Sequence, residues 1–213
     1  MIKFLVLFFV ASTAYASCDN LYPQGKKIDV PNTIELCNRQ YVAVYDARLH
    51  RNVFSSELIQ TSNSHIERSN IFRADSRVPY VKPSDYINSG YDRGHMAPAG
   101  DAENDVEMQE TFLMTNMTPQ APKLNRGAWG QFEGYVRKTW TGTYHIITGA
   151  VYSETPIMIG RKKDIPVPSG YFKCMVDKDI ICYVADNDDN ALVHPATVEY
   201  VNHIAGFTVL TGK

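Results

Sequence analysis

Apolar residues recur along the chain with two periods, which predict two kinds of element. Tyr41 to Tyr45 (YVAVY) is an apolar run of strand length, and Val53 to Leu58 reads as its hairpin partner, with His50, Arg51 and Asn52 near the turn. Thr111 to Thr115 and Tyr144 to Tyr152 read as further strands, the second rich in β-branched residues. Tyr171 to Val176 and Ile180 to Ala185 flank the turn-like Val176-Asp177-Lys178-Asp179 and predict another hairpin. One stretch is helical instead. After Pro122, the span Asn125 to Trp140 places Trp129, Phe132, Val136 and Trp140 at spacings of three and four, with Gly142 as its stop. At about 100° per residue these share one stripe. Asn125 falls on that stripe at its N-terminal end, and Glu133 lies about 80° around from Asn125, at the stripe's edge.

Between these elements, Arg73 to Tyr91 and Pro156 to Ser169 carry prolines and polar residues and read as loops. Asp101 to Met108 is acidic and opens a short helix with Asp101 as its cap, and Ala196 to His203 reads as a short closing helix. The chain has no internal repeat, low-complexity tract, charge run or linker, so its 213 residues read as one domain.

The first sixteen residues stand apart. Lys3 precedes the apolar run Phe4 to Ala11, and Ala14-Tyr15-Ala16 has the small-x-small form of a cleavage site, so residues 1–16 read as a signal peptide and 17–213 as the mature domain. The run is too short for a membrane span, which needs about 20 apolar residues. Export makes the cysteines readable. Cys18, Cys37, Cys174 and Cys182 allow three connectivities, of which Cys18–Cys37 and Cys174–Cys182 is the near-neighbour pairing. The second pair sits at opposed positions of the expected hairpin, within bridging reach. The rivals are a zinc site, which lacks CxxC spacing and paired histidines, and lipidation of Cys18, where Tyr15 stands in place of the usual Leu.

Composition narrows the function. Hydrophobic residues at 44% and charged residues at 21% exclude fibrous, disordered and multi-span membrane classes. The formal charge is −2, and −3 once the leader with its single base is removed. A protein that coats nucleic acid is strongly basic, so that class is disfavoured, while a small site with a local positive field is not.

Two stretches concentrate chemistry. Tyr91 to Pro98 (YDRGHMAP) packs an acid, a base, a glycine and an imidazole together. His95 can accept a proton near neutrality, and Gly94 allows a close backbone approach. A surface turn with an exposed histidine would look alike. The histidines at 50, 65, 145, 194 and 203 have no such neighbours and read as surface or satisfied core. The second stretch gathers the amides Asn116, Gln120 and Asn125, then Glu133. Amides at a buried edge need partners, which a hydrated cation with a phosphate supplies; helix capping explains Asn125 alone. Asn116-Met117-Thr118 also matches a glycosylation acceptor, discounted at a strand end.

Together the stretches DRGHMAP (Asp92 to Pro98), TNMTPQ (Thr115 to Gln120) and NRGAWGQFE (Asn125 to Glu133) resemble the signature of the DNA/RNA non-specific endonucleases, the ββα-metal nuclease family. Tyr41 to Leu58, Ile147 to Tyr152 and Ile165 to Lys173 resemble the family's hairpin and later strands in the right order. The resemblance implies an α+β fold, a mostly antiparallel central sheet flanked by helices. It implies hydrolysis of DNA and RNA phosphodiesters by water, leaving 5′-phosphate ends, with magnesium as cofactor and manganese as a substitute. It implies roles as well: His95 the general base, Asn125 the metal ligand, Glu133 an acid that orients the metal's water, and Asn116 and Gln120 supports around them, Gln120 on the substrate side. Arg93 matches a phosphate-site arginine, and Arg68, with Arg73 second, matches the phosphate clamp that precedes DRGH. As an unperturbed base, His95 implies that hydrolysis declines below about pH 6.5. The signal implies a secreted or periplasmic protein. The contrasting reading is a non-catalytic nucleic-acid-binding or uptake protein on the same scaffold, which would tolerate loss of His95, Asn125 or Glu133. A phosphatase or phospholipid diesterase should show several Asp and His metal ligands, which are not seen.

Overall fold

The computed structural model describes residues 17–60 and 66–211. The leader peptide, its cleavage point and His65 lie outside the described residues. In chain order the strands are β1 (Ile34–Cys37), β2 (Tyr41–Asp46), β3 (Arg51–Gln60), β4 (Asp92–His95), β5 (Met117–Gln120), β6 (Thr143–Val151), β7 (Met158–Ile159), β8 (Ile165–Pro166), β9 (Gly170–Val176), β10 (Ile180–Asp186) and β11 (His194–Ala196). The α-helices are α1 (Asp105–Thr111), α2 (Trp129–Thr139) and α3 (Val198–Ala205). Seven strands form one antiparallel sheet in the order β1-β2-β3-β6-β9-β10-β11, while β4 and β5 make a separate ribbon. This is an α+β architecture with a mostly antiparallel sheet.

The sheet is covered on both faces, which is why β2 is buried along its whole length. Its side chains still alternate. Val42 and Val44 join Phe54, Ile147 and Phe172 under Leu21, Tyr22 and Val201 of α3. Tyr41, Ala43 and Tyr45 face the other way, toward Ala97 just past β4. On that second face α2 lays Phe132 and Val136 on Ile59, Tyr144, Ile146 and Met175. The β4–β5 ribbon lies on the same side, through Met96 against Trp129 and Tyr171. The first face therefore holds the fold together, and the second carries the ribbon and helix that bear the candidate chemistry.

Disulfides join Cys18 to Cys37 and Cys174 to Cys182. Cys174 and Cys182 are direct partners across the β9–β10 hairpin, and Cys18 ties the N-terminal segment to the end of β1.

Four sequence expectations need correction. Thr111 to Thr115 is not a strand. Thr111 ends α1, a 3-10 turn spans Met114–Asn116, and the strand begins at Met117. The run is apolar because Phe112 and Met114 fill two different small cores, not because it is extended. Asp101 does not cap α1. Asn104 does, its Oδ1 accepting from the backbone of Val106 and Glu107 at 3.1 and 3.0 Å, while Asp101 pairs with Arg137. The loop from Pro156 to Ser169 contains the short β7–β8 hairpin. Finally, the helix from Asn125 is not continuous. A π-type turn spans Leu124–Ala128, where the amide of Trp129 bonds the carbonyl of Leu124, and Gly127 takes non-helical angles. A uniform 100° wheel therefore fails before Trp129, although the buried stripe Trp129, Phe132 and Val136 is as expected.

Candidate active site

The DRGH strand is held in place from behind. Within the ribbon His95 pairs with Met117, Gly94 with Thr118, Arg93 with Pro119 and Asp92 with Gln120. Arg93 and His95 line a cavity of about 660 Å³, whereas Gly94 turns its α-carbon onto Gln120. A Cβ on Gly94 would run into the Gln120 side chain, so the close approach that glycine permits is to this amide, not to a substrate. Gln120 itself is buried, and its Nε2 has no partner among the described residues. It does not line the cavity but lies directly behind the DRGH strand.

Asn116 is likewise buried and outside the cavity. Its Nδ2 donates to the carbonyls of Ala97 and Thr111, both at 2.9 Å, and its Oδ1 accepts from the amide of Ala97 at 2.9 Å and the Ser55 hydroxyl at 3.2 Å. Its own carbonyl accepts from the amide of Met96 at 2.9 Å. Every polar atom of the side chain is used by the protein, so Asn116 clasps the chain just past His95 to the main sheet. It lies behind the cavity and does not line it. An amide this enclosed cannot serve as a glycosylation acceptor either.

His95 sits among aromatic rings. Its centroid is 4.9 Å from that of Phe112, edge-on, and 5.8 Å from that of Phe72. Burial, and then the charge of Arg68, push the imidazole down to about 3. The ring is therefore neutral, the form that can take a proton, and Nε2 is buried without a partner among the described residues.

Two arginines approach the cavity without an acid. Arg93 lies 4.1 Å over the ring of Phe72 and donates to the Pro83 carbonyl at 3.4 Å. Arg68 lies 5.2 Å over Phe112, and its Nε donates to Asn70 at 2.9 Å. Neither makes an ion pair among the described residues, so both guanidinium groups remain able to grip an anion. Arg73, the alternative to Arg68, does not line the cavity; its backbone is bonded to Phe112 and Met114.

Asn125 reaches the cavity from the π-type turn. Its Nδ2 donates to Asp92 Oδ2 at 2.9 Å. A carboxylate only accepts, so the amide nitrogen must face Asp92, which leaves the carbonyl Oδ1 of this cavity-lining residue able to meet another partner. Arg126 locks the same carboxylate from outside, with Nε and Nη2 at 2.8 and 2.5 Å. These hydrogen bonds, from Arg126 and then Asn125, outweigh burial and hold Asp92 below the usual carboxylate range.

Glu133 comes from α2, one turn past its start at Trp129. Burial raises its carboxyl to about 7, a shift opposed by Lys173. Lys173 is itself buried in β9, with Nζ 3.9 Å from Glu133 Oε1 and 2.6 Å from the Thr148 hydroxyl. Glu57 of β3 lies close enough to Lys173 and Glu133 to feel their charges, and does not line the cavity. It is buried with both oxygens unpartnered among the described residues, and burial holds its carboxyl well above the usual range. Arg137 stands at the rim, paired with Asp101 at 2.9 Å.

The donor set can be tested against a metal. No group of three or more His, Cys, Asp and Glu gathers among the described residues, so a fully caged zinc or calcium is not what it fits. One fixed amide oxygen beside one carboxylate suits a hard, largely hydrated dication such as magnesium.

Of the residues singled out in the sequence, the fold brings His95, Arg93, Arg68, Asn125 and Glu133 to one cavity and leaves Asn116 and Gln120 behind it. Sequence reasoning passed over Asp92 as the orienter of Asn125, together with Arg126, Arg137, Lys173 and Glu57. Some signals were present. Arg137 stands four residues after Glu133 on one helix, and Lys173 and Glu57 are charges inside apolar strand runs.

Known proteins resemble this chain in sequence and fold. The model of the DNA/RNA non-specific endonuclease family matches residues 19–213. The mitochondrial nuclease of Saccharomyces cerevisiae is 33% identical over 183 residues, covering 74% of this chain and 55% of that protein. A nuclease of Nostoc sp. is 39% identical over 114 residues, covering 51% of this chain and 42% of its own. A chain in a crystal structure of the EndoG/EndoGI complex superposes with a TM-score of 0.72 at 27% identity, over 81% of this chain and 83% of that one. The chain spans about half the length of the curated relatives it matches.

Proposed function

This chain belongs to the DNA/RNA non-specific endonuclease family, and from that premise we propose that it is a metal-dependent endonuclease that hydrolyses phosphodiester bonds of both DNA and RNA. The observation that carries the reading is the convergence of a neutral imidazole, two acid-free arginines, an oriented amide oxygen and a carboxylate on one open cavity.

The residues divide the work. His95 accepts the proton of the attacking water, which its neutral ring allows without a preceding deprotonation. Arg68 and Arg93 hold non-bridging phosphate oxygens and stabilise the charge that grows on them. Asn125 Oδ1 would hold a hydrated magnesium ion, with manganese as a substitute, and Glu133 would accept hydrogen bonds from the water around it. A dication there supplies positive charge to the phosphate and the departing oxygen. A neutral amide ligand leaves that charge undiminished, which a pair of carboxylates would not. Asp92 and Arg126 fix Asn125, and Asn116 fixes the strand that carries His95.

Because water is the nucleophile, the sugar 2′-hydroxyl is not required, and the groups named address phosphate, which every nucleotide shares. Products carry a 5′-phosphate and a 3′-hydroxyl. The disulfides fit an oxidising compartment, in keeping with a secreted or periplasmic protein released after Ala16, although relatives include mitochondrial nucleases. Among the described residues no helix is long and apolar enough to cross a membrane.

The test is a gel assay of the purified protein on end-labelled DNA and RNA of matched sequence, with magnesium and with chelator. The reading expects both to be cut, only with metal, to 5′-phosphate ends. Binding without cleavage would favour the uptake-protein reading, and cleavage confined to RNA with cyclic phosphate products would contradict water attack.

A further inference from the structure

Against the expectation of a chain without a charge run, Arg161, Lys162 and Lys163 are three consecutive cations, and the fold gives them a defined place. They sit in the connection between β7 and β8. There the amide of Lys163 bonds the carbonyl of Gly160 at 3.1 Å, and Gly160 takes a φ of +90°, closing a tight turn with Arg161 and Lys162 at its tip. All three are exposed, and none makes an ion pair among the described residues. The acid next in sequence, Asp164, places its Oδ2 3.3 Å from His50 Nδ1 and its Oδ1 against Gly160, and pairs with none of the three cations. The turn therefore presents three cations to one acid, on a chain whose net charge is −2.

The turn is also fixed and adjacent to the cavity. Ile159 and Ile165, on its two flanking strands, are buried with Tyr86 and with Met117, the partner of His95 in the ribbon. Arg161 and Lys163 line a second depression, and Ile87, 67% exposed, lines both this depression and the cavity of His95. One acid, Asp85, lines the same depression, its carboxylate accepting the backbone amide of Lys82 at 2.8 Å, so the depression carries two cations against one anion.

We propose that the Gly160–Lys163 turn is a second phosphate-binding platform, which holds the backbone of a nucleic acid beyond the phosphate being cut. The inference rests on the nuclease reading above. A chain laid over Ile87 passes from the arginines of the cavity to the cations of the turn, so a long substrate gains contacts that a single phosphodiester cannot reach. Each cation that meets a phosphate releases a counterion, so these contacts appear as salt dependence.

The experiment compares the wild type with the Arg161→Gln/Lys162→Gln/Lys163→Gln variant. Binding of a labelled duplex of about 30 base pairs is followed by fluorescence anisotropy in chelator, from about 50 to 200 mM salt. Turnover of bis(p-nitrophenyl) phosphate is measured with magnesium. The proposal expects the slope of log affinity against log salt to become shallower by about 2 to 3, since each phosphate contact contributes about 0.9. It expects turnover of the small diester to be unchanged. An unchanged slope, or an equal loss on the small diester, would overturn the platform while leaving the nuclease reading intact. A wild type that cuts neither DNA nor the small diester would overturn the nuclease reading, and this platform with it.

Discussion

Asn125 donates its side-chain amide to Asp92 Oδ2 at 2.9 Å, and this bond decides which end of the amide Asp92 holds and which it leaves free for another partner. Asp92 is therefore a positioning residue for the metal ligand. Asp92→Ala should weaken magnesium binding about 10- to 100-fold, as loss of partners behind a ligand generally does, and Asn125→Ala should weaken it at least as much. A magnesium titration of turnover checks this; an unchanged midpoint for Asn125→Ala would mean that the ion sits elsewhere.

The pH dependence should belong to Glu133 instead of His95. With its imidazole pushed down to about 3, His95 stays neutral throughout the range where an ordinary histidine titrates, so the decline expected below pH 6.5 from an unperturbed base is revised. Glu133, raised to about 7 by burial, is protonated below that value and then can no longer accept a hydrogen bond from water with both oxygens. At low magnesium, activity should fall as pH drops through about 7. A bound dication favours the ionised carboxylate, so higher magnesium should move this limb to lower pH. Glu133→Gln should flatten the limb, and Lys173→Met, which removes the cation opposing the shift, should move it upward. pH–rate profiles at two magnesium concentrations decide the matter. A limb near 6.5 that ignores both magnesium and Glu133→Gln would return the titration to His95.

How legible this site was depended on distance along the chain. The α2 stripe and the β9–β10 hairpin follow from local periodicity, and so were readable. The strand misread at Thr111 to Thr115 and the helix start misread at Asn125 fail for one reason: a run can be apolar, or spaced in threes and fours, without the backbone being regular. The roles of Asp92 and Lys173 were not readable, because each depends on a partner supplied by another element, 33 residues away for Asp92 and Asn125. Asn116 shows the limit from the other side. Its residue type suited a site, but its hydrogen bonds are all spent on the fold.

Gly94→Ala tests the close contact behind His95. The added Cβ meets the Gln120 side chain, and overpacking of this kind costs about 1–3 kcal/mol. Gln120→Gly in the same chain, which removes the Cβ as well as the amide from the contact, should recover part of that loss, a coupling that thermal unfolding of the single and double variants would reveal. Additive effects would mean that the two side chains do not collide.

The disulfides should matter unequally. Each should contribute about 2–4 kcal/mol, and Cys18–Cys37, with a sequence separation of 19 against 8 for Cys174–Cys182, closes the larger loop and should contribute more. Denaturant unfolding of the paired Cys→Ala variants measures this. A peptide map of unreduced protein checks the pairing; free thiols at Cys174 and Cys182 would contradict it.

The central claim is that the cavity around His95 breaks phosphodiester bonds, and the most direct measurement is the turnover of DNA by His95→Ala beside its affinity for DNA. The account predicts a loss of about a hundredfold or more in turnover, with binding and the unfolding midpoint close to those of the wild type. Near-normal turnover by the folded variant would contradict it.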